Sequence, residues 1–172
     1  MRSGVFAPSA EGEARLLLLI DAFSQHGGHL QGRVKLAKLD FLLRYPRFFA
    51  RAMAARGRHA ESPDQSSEPA IEQRMIRYRY GPWDPAYYAL LGSLIGRGLV
   101  ITVPESRYVG LRVTEAGHDL AAALAATEAW AAVARDARVL RTEFAEQRGT
   151  YLKNFIYQHF PEVAGSRWGE SL

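Results

Sequence analysis

The stretch Pro85-Ala-Tyr-Tyr-Ala-Leu-Leu-Gly-Ser-Leu-Ile-Gly-Arg-Gly-Leu-Val-Ile-Thr-Val-Pro-Glu-Ser-Arg-Tyr-Val-Gly-Leu-Arg-Val-Thr114 decides the fold. Asp84-Pro85 reads as an N-cap followed by proline at the first helical position, and Gly98 stops the helix after Arg97. Leu99 to Val103 is apolar and β-branched, Pro104 to Arg107 is polar, and Tyr108 to Val113 resumes the extended pattern, which predicts a β-hairpin. Thr114 then caps a further helix, Glu115 to Ala126. Helix, hairpin and helix, preceded by two or three helices, is the order of a winged helix whose wing tip is Glu105 to Arg107.

Upstream, Glu11 to Gln25 is apolar at nearly every position from Ala14 to Ile20 and again at Ala22 and Phe23, as befits a helix central to the core. His26-Gly27-Gly28-His29 stops it. Leu36, Leu39 and Leu43 mark a short amphipathic helix from Val34 to Arg44, with Lys35 and Lys38 on the flank of the apolar stripe and their charges in water. Pro46 starts a new helix, Arg47 to Arg56, whose apolar face is Phe48, Phe49, Ala52 and Met53 and which carries Arg47 and Arg51 four residues apart on another face. Between Gly57 and Pro69 the polar composition predicts a mobile loop. Ile71 to Tyr80 fits a helix that gives way to a short extended stretch, after which Gly81-Pro82 turns the chain and Trp83 and Asp84 lead into the next helix.

Downstream, Trp130, Val133, Ala137, Leu140 and Phe144 form one seam of a long helix. Two heptads are too few for a coiled coil, and packing within the chain competes with packing on a partner. Gln147-Arg148-Gly149 interrupts the helix, Thr150 caps a last one, and Leu152, Phe155, Ile156, His159 and Phe160 share its side before Pro161 ends it. The expected organisation is a disordered lead-in over 1–10, a winged-helix domain over 11–126 with its mobile loop near 57–69, a C-terminal helical extension over 127–161 and a tail over 162–172. The expected fold class is mainly α with one small β-hairpin.

The 172 residues are 48% hydrophobic and 23% charged, a globular profile that fits one domain with an extension. Without cysteine there is no disulfide framework, thiolate zinc site or cysteine nucleophile, and a reducing cytoplasm is the expected compartment. The apolar run Leu16 to Ile20, like every other in the sequence, is far too short to cross a membrane, and the first ten residues lack the apolar core of a signal peptide. The net charge of +4 is unevenly placed: Gln31 to Ala60 holds eight basic residues against Asp40 alone, +7 in total, and leaves the other 142 residues at −3. Arg33, Lys35, Lys38, Arg44, Arg47 and Arg51 are therefore candidates for contact with phosphates or an acidic partner, with a merely solvated helix surface as the plain alternative.

No catalytic motif emerges. Gly27-x4-Gly32-Arg33-Val34 approaches a phosphate-binding loop, but arginine replaces the lysine, valine replaces the magnesium-binding hydroxyl, and a helix precedes it where a strand should. The histidines form no i, i+4 pair, and neither a nucleophile elbow nor a nuclease cluster is present, so no enzyme activity, metal or cofactor is expected. The helix before the hairpin offers only Tyr87, Tyr88, Ser93 and Arg97 as polar side chains and no amide, a poor set for reading base edges.

Three segments, Leu36-Ala-Lys-Leu-Asp-Phe-Leu-Leu-Arg-Tyr-Pro46, Arg74-Met-Ile-Arg-Tyr-Arg-Tyr-Gly-Pro-Trp-Asp84 and Leu152-Lys-Asn-Phe-Ile-Tyr-Gln-His-Phe-Pro-Glu-Val163, resemble the middle component of ABC three-component systems, which are similar to the Lamassu-type anti-phage defence group. The resemblance implies a non-catalytic adaptor that joins an SMC- or Rad50-like ATPase subunit and an effector nuclease subunit, and the basic block adds non-specific contact with double-stranded DNA as a further expected role. Partner packing is expected at Trp130, Leu140, Phe144, Phe155, Ile156 and Tyr157. The competing expectation is a homodimeric winged-helix transcriptional regulator that dimerises through the helix from Trp130 to Phe144.

Overall fold

The computed structural model describes residues 8–58, 75–78 and 81–172. Its architecture is mainly helical: α1 (Ala10–Ser24), α2 (Gly32–Arg44), α3 (Pro46–Ala55), β1 (Ile76–Tyr78), β2 (Gly81–Trp83), α4 (Tyr87–Gly96), β3 (Val100–Pro104), β4 (Val109–Val113), α5 (Glu115–Ala125), α6 (Glu128–Phe144), α7 (Gly149–His159) and α8 (Pro161–Ala164). Each pair of strands forms a separate two-stranded antiparallel sheet. The chain divides into two units, each built from two separated segments: Met1–Arg33 with Pro85–Glu146, and Val34–Asp84 with Gln147–Leu172.

In the first unit α1 is the central element. Leu16, Leu17, Leu18, Leu19 and Ile20 are at most 3% exposed, because α4, α5, α6 and β4 all pack on this helix and leave no side for water. The oxygen of Ser9 accepts from the Gly12 amide at 3.0 Å and caps α1, so the helix begins at Ala10, inside the segment expected to be disordered. The rest of that expectation, residues 1–7, lies outside the described residues. The hairpin pairs Val100 with Val113 and Pro104 with Val109. A third extended position joins it: Leu30 and Leu111 exchange both backbone hydrogen bonds, at 2.8 and 2.9 Å, so the residue between α1 and α2 borders β4 on the side away from β3. Thr114 caps α5 as expected, accepting from the Gly117 amide at 3.0 Å while donating to the Gly98 carbonyl at 2.6 Å.

The seam of α6 is spent inside this unit. Ala137, Leu140 and Phe144 are fully buried where α6 packs on α1 and α5, and Trp130 is half-buried. Leu140 and Phe144 are thus core residues and not a partner surface. The division of the chain departs from the expected contiguous one for the same reason: α6 completes the first unit, while α2 and α3 go with α7 and α8.

In the second unit the core is aromatic. Phe48 lies 4.9 Å, centroid to centroid, from both Phe41 and Phe160, and Tyr45 sits 5.1 Å from Phe41. Leu152, Phe155 and Ile156 of α7 are buried, so Phe155 and Ile156 too hold the chain together and are unavailable to a partner; Tyr157 is half-buried. The Tyr45 hydroxyl accepts from the Met75 amide and donates to the Leu172 carbonyl, both at 3.0 Å.

Several boundaries differ from expectation for local reasons. Gly81 and Pro82 belong to β2, where Tyr78 pairs with Gly81 and Ile76 with Trp83, so these residues extend before they turn. The first helical residue after them is Tyr87, with Ala86 at the N-cap position, because Asp84 engages Arg44 and does not cap. Thr150 lies within α7, whose N-cap is Arg148, and Pro161 opens α8 in the favoured first position as α7 closes. Gly57 closes α3 with a positive φ, whereas 59–74 of the expected loop and helix, together with 79 and 80, lie outside the described residues.

Candidate functional site

The basic block singled out in the sequence does not form one surface. Lys35 and Lys38 are at most 1% exposed, contrary to the flank position that helical spacing predicts, and Arg44 is 9% exposed. Arg44 joins two carboxylates: its Nε donates to Asp40 Oδ2 at 2.9 Å, and its Nη2 donates to Asp84 Oδ2. Lys38 reaches the Pro82 carbonyl at 3.4 Å and runs under Gly81. Gly81 has a φ of +100°, and a Cβ there would stand 3.1 Å from Lys38 Cε, so a side chain at this position would be both strained and crowded. Burial, reinforced by the Lys153 charge, lowers the Lys38 pKa from 10.5 to about 7. These groups form the polar interior of the second unit, and phosphate contact through Lys35, Lys38 and Arg44 is ruled out by their burial.

Arg51 is exposed but occupied. It donates to both oxygens of Glu162 and, at 2.9 Å, to the His159 carbonyl, and its guanidinium lies 4.8 Å from the Phe160 ring centroid. The hydrogen bond from Arg51 holds the Glu162 carboxyl below the usual carboxylate range. Arg51 therefore clasps the end of α7 to α3. Arg47 is exposed, with its guanidinium 4.7 Å from the Phe48 ring centroid.

In the first unit the surface of interest is the outer side of α4. Tyr87, Leu90, Leu91 and Leu94 face inward, which leaves Tyr88, Gly92, Ile95 and Gly96 along the opposite side. Tyr88 is 60% exposed and Ile95 39%, and no atom lies within 4 Å of where a Cβ would stand on Gly92 or Gly96. Arg33 places its guanidinium 4.9 Å from the Tyr88 ring centroid. Arg97, one of the few polar side chains of this segment, is tied to Glu13 at 3.1 Å. In the hairpin, Ile101 and Val109 are 45% and 54% exposed. The face thus combines an aromatic ring under a cation, one aliphatic side chain and bare backbone. It lacks the amides and paired arginines that read base edges.

Sequence reasoning does not single out this face, although a signal exists. A helix with one buried side normally carries a polar opposite side, whereas α4 is apolar on both. Arg112 is also missed: it donates to the Gly28 and Gly27 carbonyls at 2.9 Å each and so fixes the glycine turn after α1 against β4. Among the described residues no group of three or more metal-ligating side chains occurs, and no helix is long and apolar enough to cross a membrane. Compared with known families, characterised proteins and solved structures, the chain matches none.

Proposed function

We propose that the chain is a winged-helix adaptor, an interaction subunit without catalysis of its own, whose partner surface on the first unit is the outer face of α4. The winged-helix reading is supported within the first unit by α1, the single extended residue Leu30, α4 and then the β3–β4 hairpin, with Leu30 bridging to β4. The single observation that carries the interaction reading is the exposed apolar side of α4, where a nucleic-acid reader would place polar side chains.

The partner we infer is a long SMC- or Rad50-like ATPase, with an effector nuclease joined through the same assembly, in an anti-phage defence complex of the Lamassu type. The support is the resemblance of the three segments, together with their distribution: all three fall in the second unit, drawn from both of its separated stretches of chain. Non-specific contact with double-stranded DNA is left to the cations of the block that stay exposed, Arg33 and Arg47 among them. The regulator alternative loses its dimer seam, because Ala137, Leu140 and Phe144 are already buried within the first unit.

Co-expression with a neighbouring SMC- or Rad50-like ATPase tests the proposal. A complex that survives moderate salt and dissociates on Gly92→Glu is expected, since the new carboxylate points into open space and cannot disturb the fold. Failure of the two chains to co-purify overturns the adaptor reading, and a complex indifferent to Gly92→Glu moves the interface elsewhere.

A further inference from the structure

The first unit contains a cavity of about 420 Å³ between the C-terminal end of α1 and the helices α5 and α6, within the size range of small-ligand sites. Its origin is compositional. Where the rest of α1 meets large apolar side chains, this region meets Ala121, Ala122, Ala125 and Ala134, which are too small to fill the space between the three helices. Leu18 and Ala22 of α1 complete an apolar floor.

The lip is charged. Arg138 and Arg141, three apart on α6 and so on one face of it, both line the cavity, and neither has a carboxylate partner among the described residues. Asp21 is the one acidic residue of the lining, and its Oδ1 lies 2.7 Å from His118 Nδ1. That hydrogen bond raises the His118 pKa and engages the only carboxylate of the lining, so Asp21 is turned to His118 and leaves the two guanidiniums for a ligand. His26 closes the lip in a left-handed conformation, φ 57° and ψ 33°, and is the only non-glycine residue with positive φ among the described residues. A histidine can hold that conformation, but at a cost that a helix end stopped by Gly27 and Gly28 does not require.

We propose that this cavity binds a phosphate monoester with a compact, flat apolar body: the body rests on the alanine floor and the dianionic head is held by Arg138 and Arg141. Two unpaired arginines match the double charge of a phosphate monoester better than the single charge of a carboxylate, and guanidinium forks pair with phosphate oxygens in bidentate geometry. The site is independent of the adaptor reading, since α4 does not contribute to it.

Isothermal titration of the full chain tests this, with phenyl phosphate as the probe and inorganic phosphate and benzoate as controls. Saturable binding of phenyl phosphate at least tenfold tighter than either control is expected, with at least a tenfold loss in the Arg138→Gln, Arg141→Gln double variant. Ala122→Phe, an exposed position that projects bulk over the floor, should abolish binding while leaving the circular dichroism unchanged. Absence of saturation, equal affinity for benzoate or inorganic phosphate, or undiminished binding in the folded double variant would each overturn the proposal. Should the double variant fail to fold, undiminished binding in Ala122→Phe would overturn it.

Discussion

Arg44 and Asp84, forty residues apart in the chain, meet in an ion pair at which the guanidinium side chain is 4% exposed and the carboxylate 18%. Asp40, fully buried one helical turn before Arg44, supplies the second carboxylate. Breaking such a pair from one side leaves an uncompensated charge in the interior. Arg44→Ala should therefore destabilise the chain by about 3–5 kcal/mol, measured by urea unfolding. A loss under about 1 kcal/mol, the value of an exposed pair, would show that the site is wet.

Lys38 sets a pH dependence. Its folded pKa of about 7 lies below its ordinary 10.5, so between these values the unfolded chain binds more protons than the folded one. Its contribution to stability must then rise with pH from near 7 to near 10.5, and the full penalty of a buried cation applies below 7. Lys38→Met should flatten that rise and make the chain more stable than the parent at pH 6, by about 1–4 kcal/mol. Parallel stability–pH curves for parent and variant would show that Lys38 is solvated.

His118 behaves conversely, because the hydrogen bond to Asp21 raises its pKa. The small stabilisation from this pair is complete below the unfolded histidine value and is lost as pH rises through the folded one. An NMR titration should place His118 above the ordinary histidine range and return it there in Asp21→Asn. An unchanged midpoint in the variant would mean that another group sets the value.

Two glycines should respond in opposite directions. A Cβ on Gly117 would collide with the Leu99 carbonyl oxygen, backbone that cannot swing aside, so Gly117→Ala should unlatch α5 from the hairpin and lower the thermal midpoint. Gly92 has open space around it in the middle of α4, and Gly92→Ala should stabilise by about 0.5–1 kcal/mol through helix propensity alone. Thermal midpoints that move in the same direction for both variants would contradict this packing.

Trp83 is half-buried in β2, and its truncation should cost less than the roughly 3–5 kcal/mol of a fully buried tryptophan. The difference between Trp83→Ala and Phe48→Ala in chemical denaturation measures this. The second should be the larger, because Phe48 is 1% exposed within the aromatic cluster.

What could be read from the sequence is what depends on neighbours in the chain. The apolar length of α1, the hairpin over Val100–Val113, the Thr114 cap and the helical seam of α6 all follow from side-chain period, β-branching and capping chemistry. The tertiary structure decided which faces those elements keep for themselves. Lys38 and Arg44 carry the same charge as Arg33 and Arg47, and helical spacing alone gives no sign that Asp84, Pro82 and Gly81 close over the first pair and not the second. A seam of Leu140 and Phe144 looks identical whether α1 or a partner covers it. The exposed side of α4 and the cavity under Arg138 and Arg141 follow from what fails to cover them, and coverage is a property of the folded chain, set by residues far away in sequence.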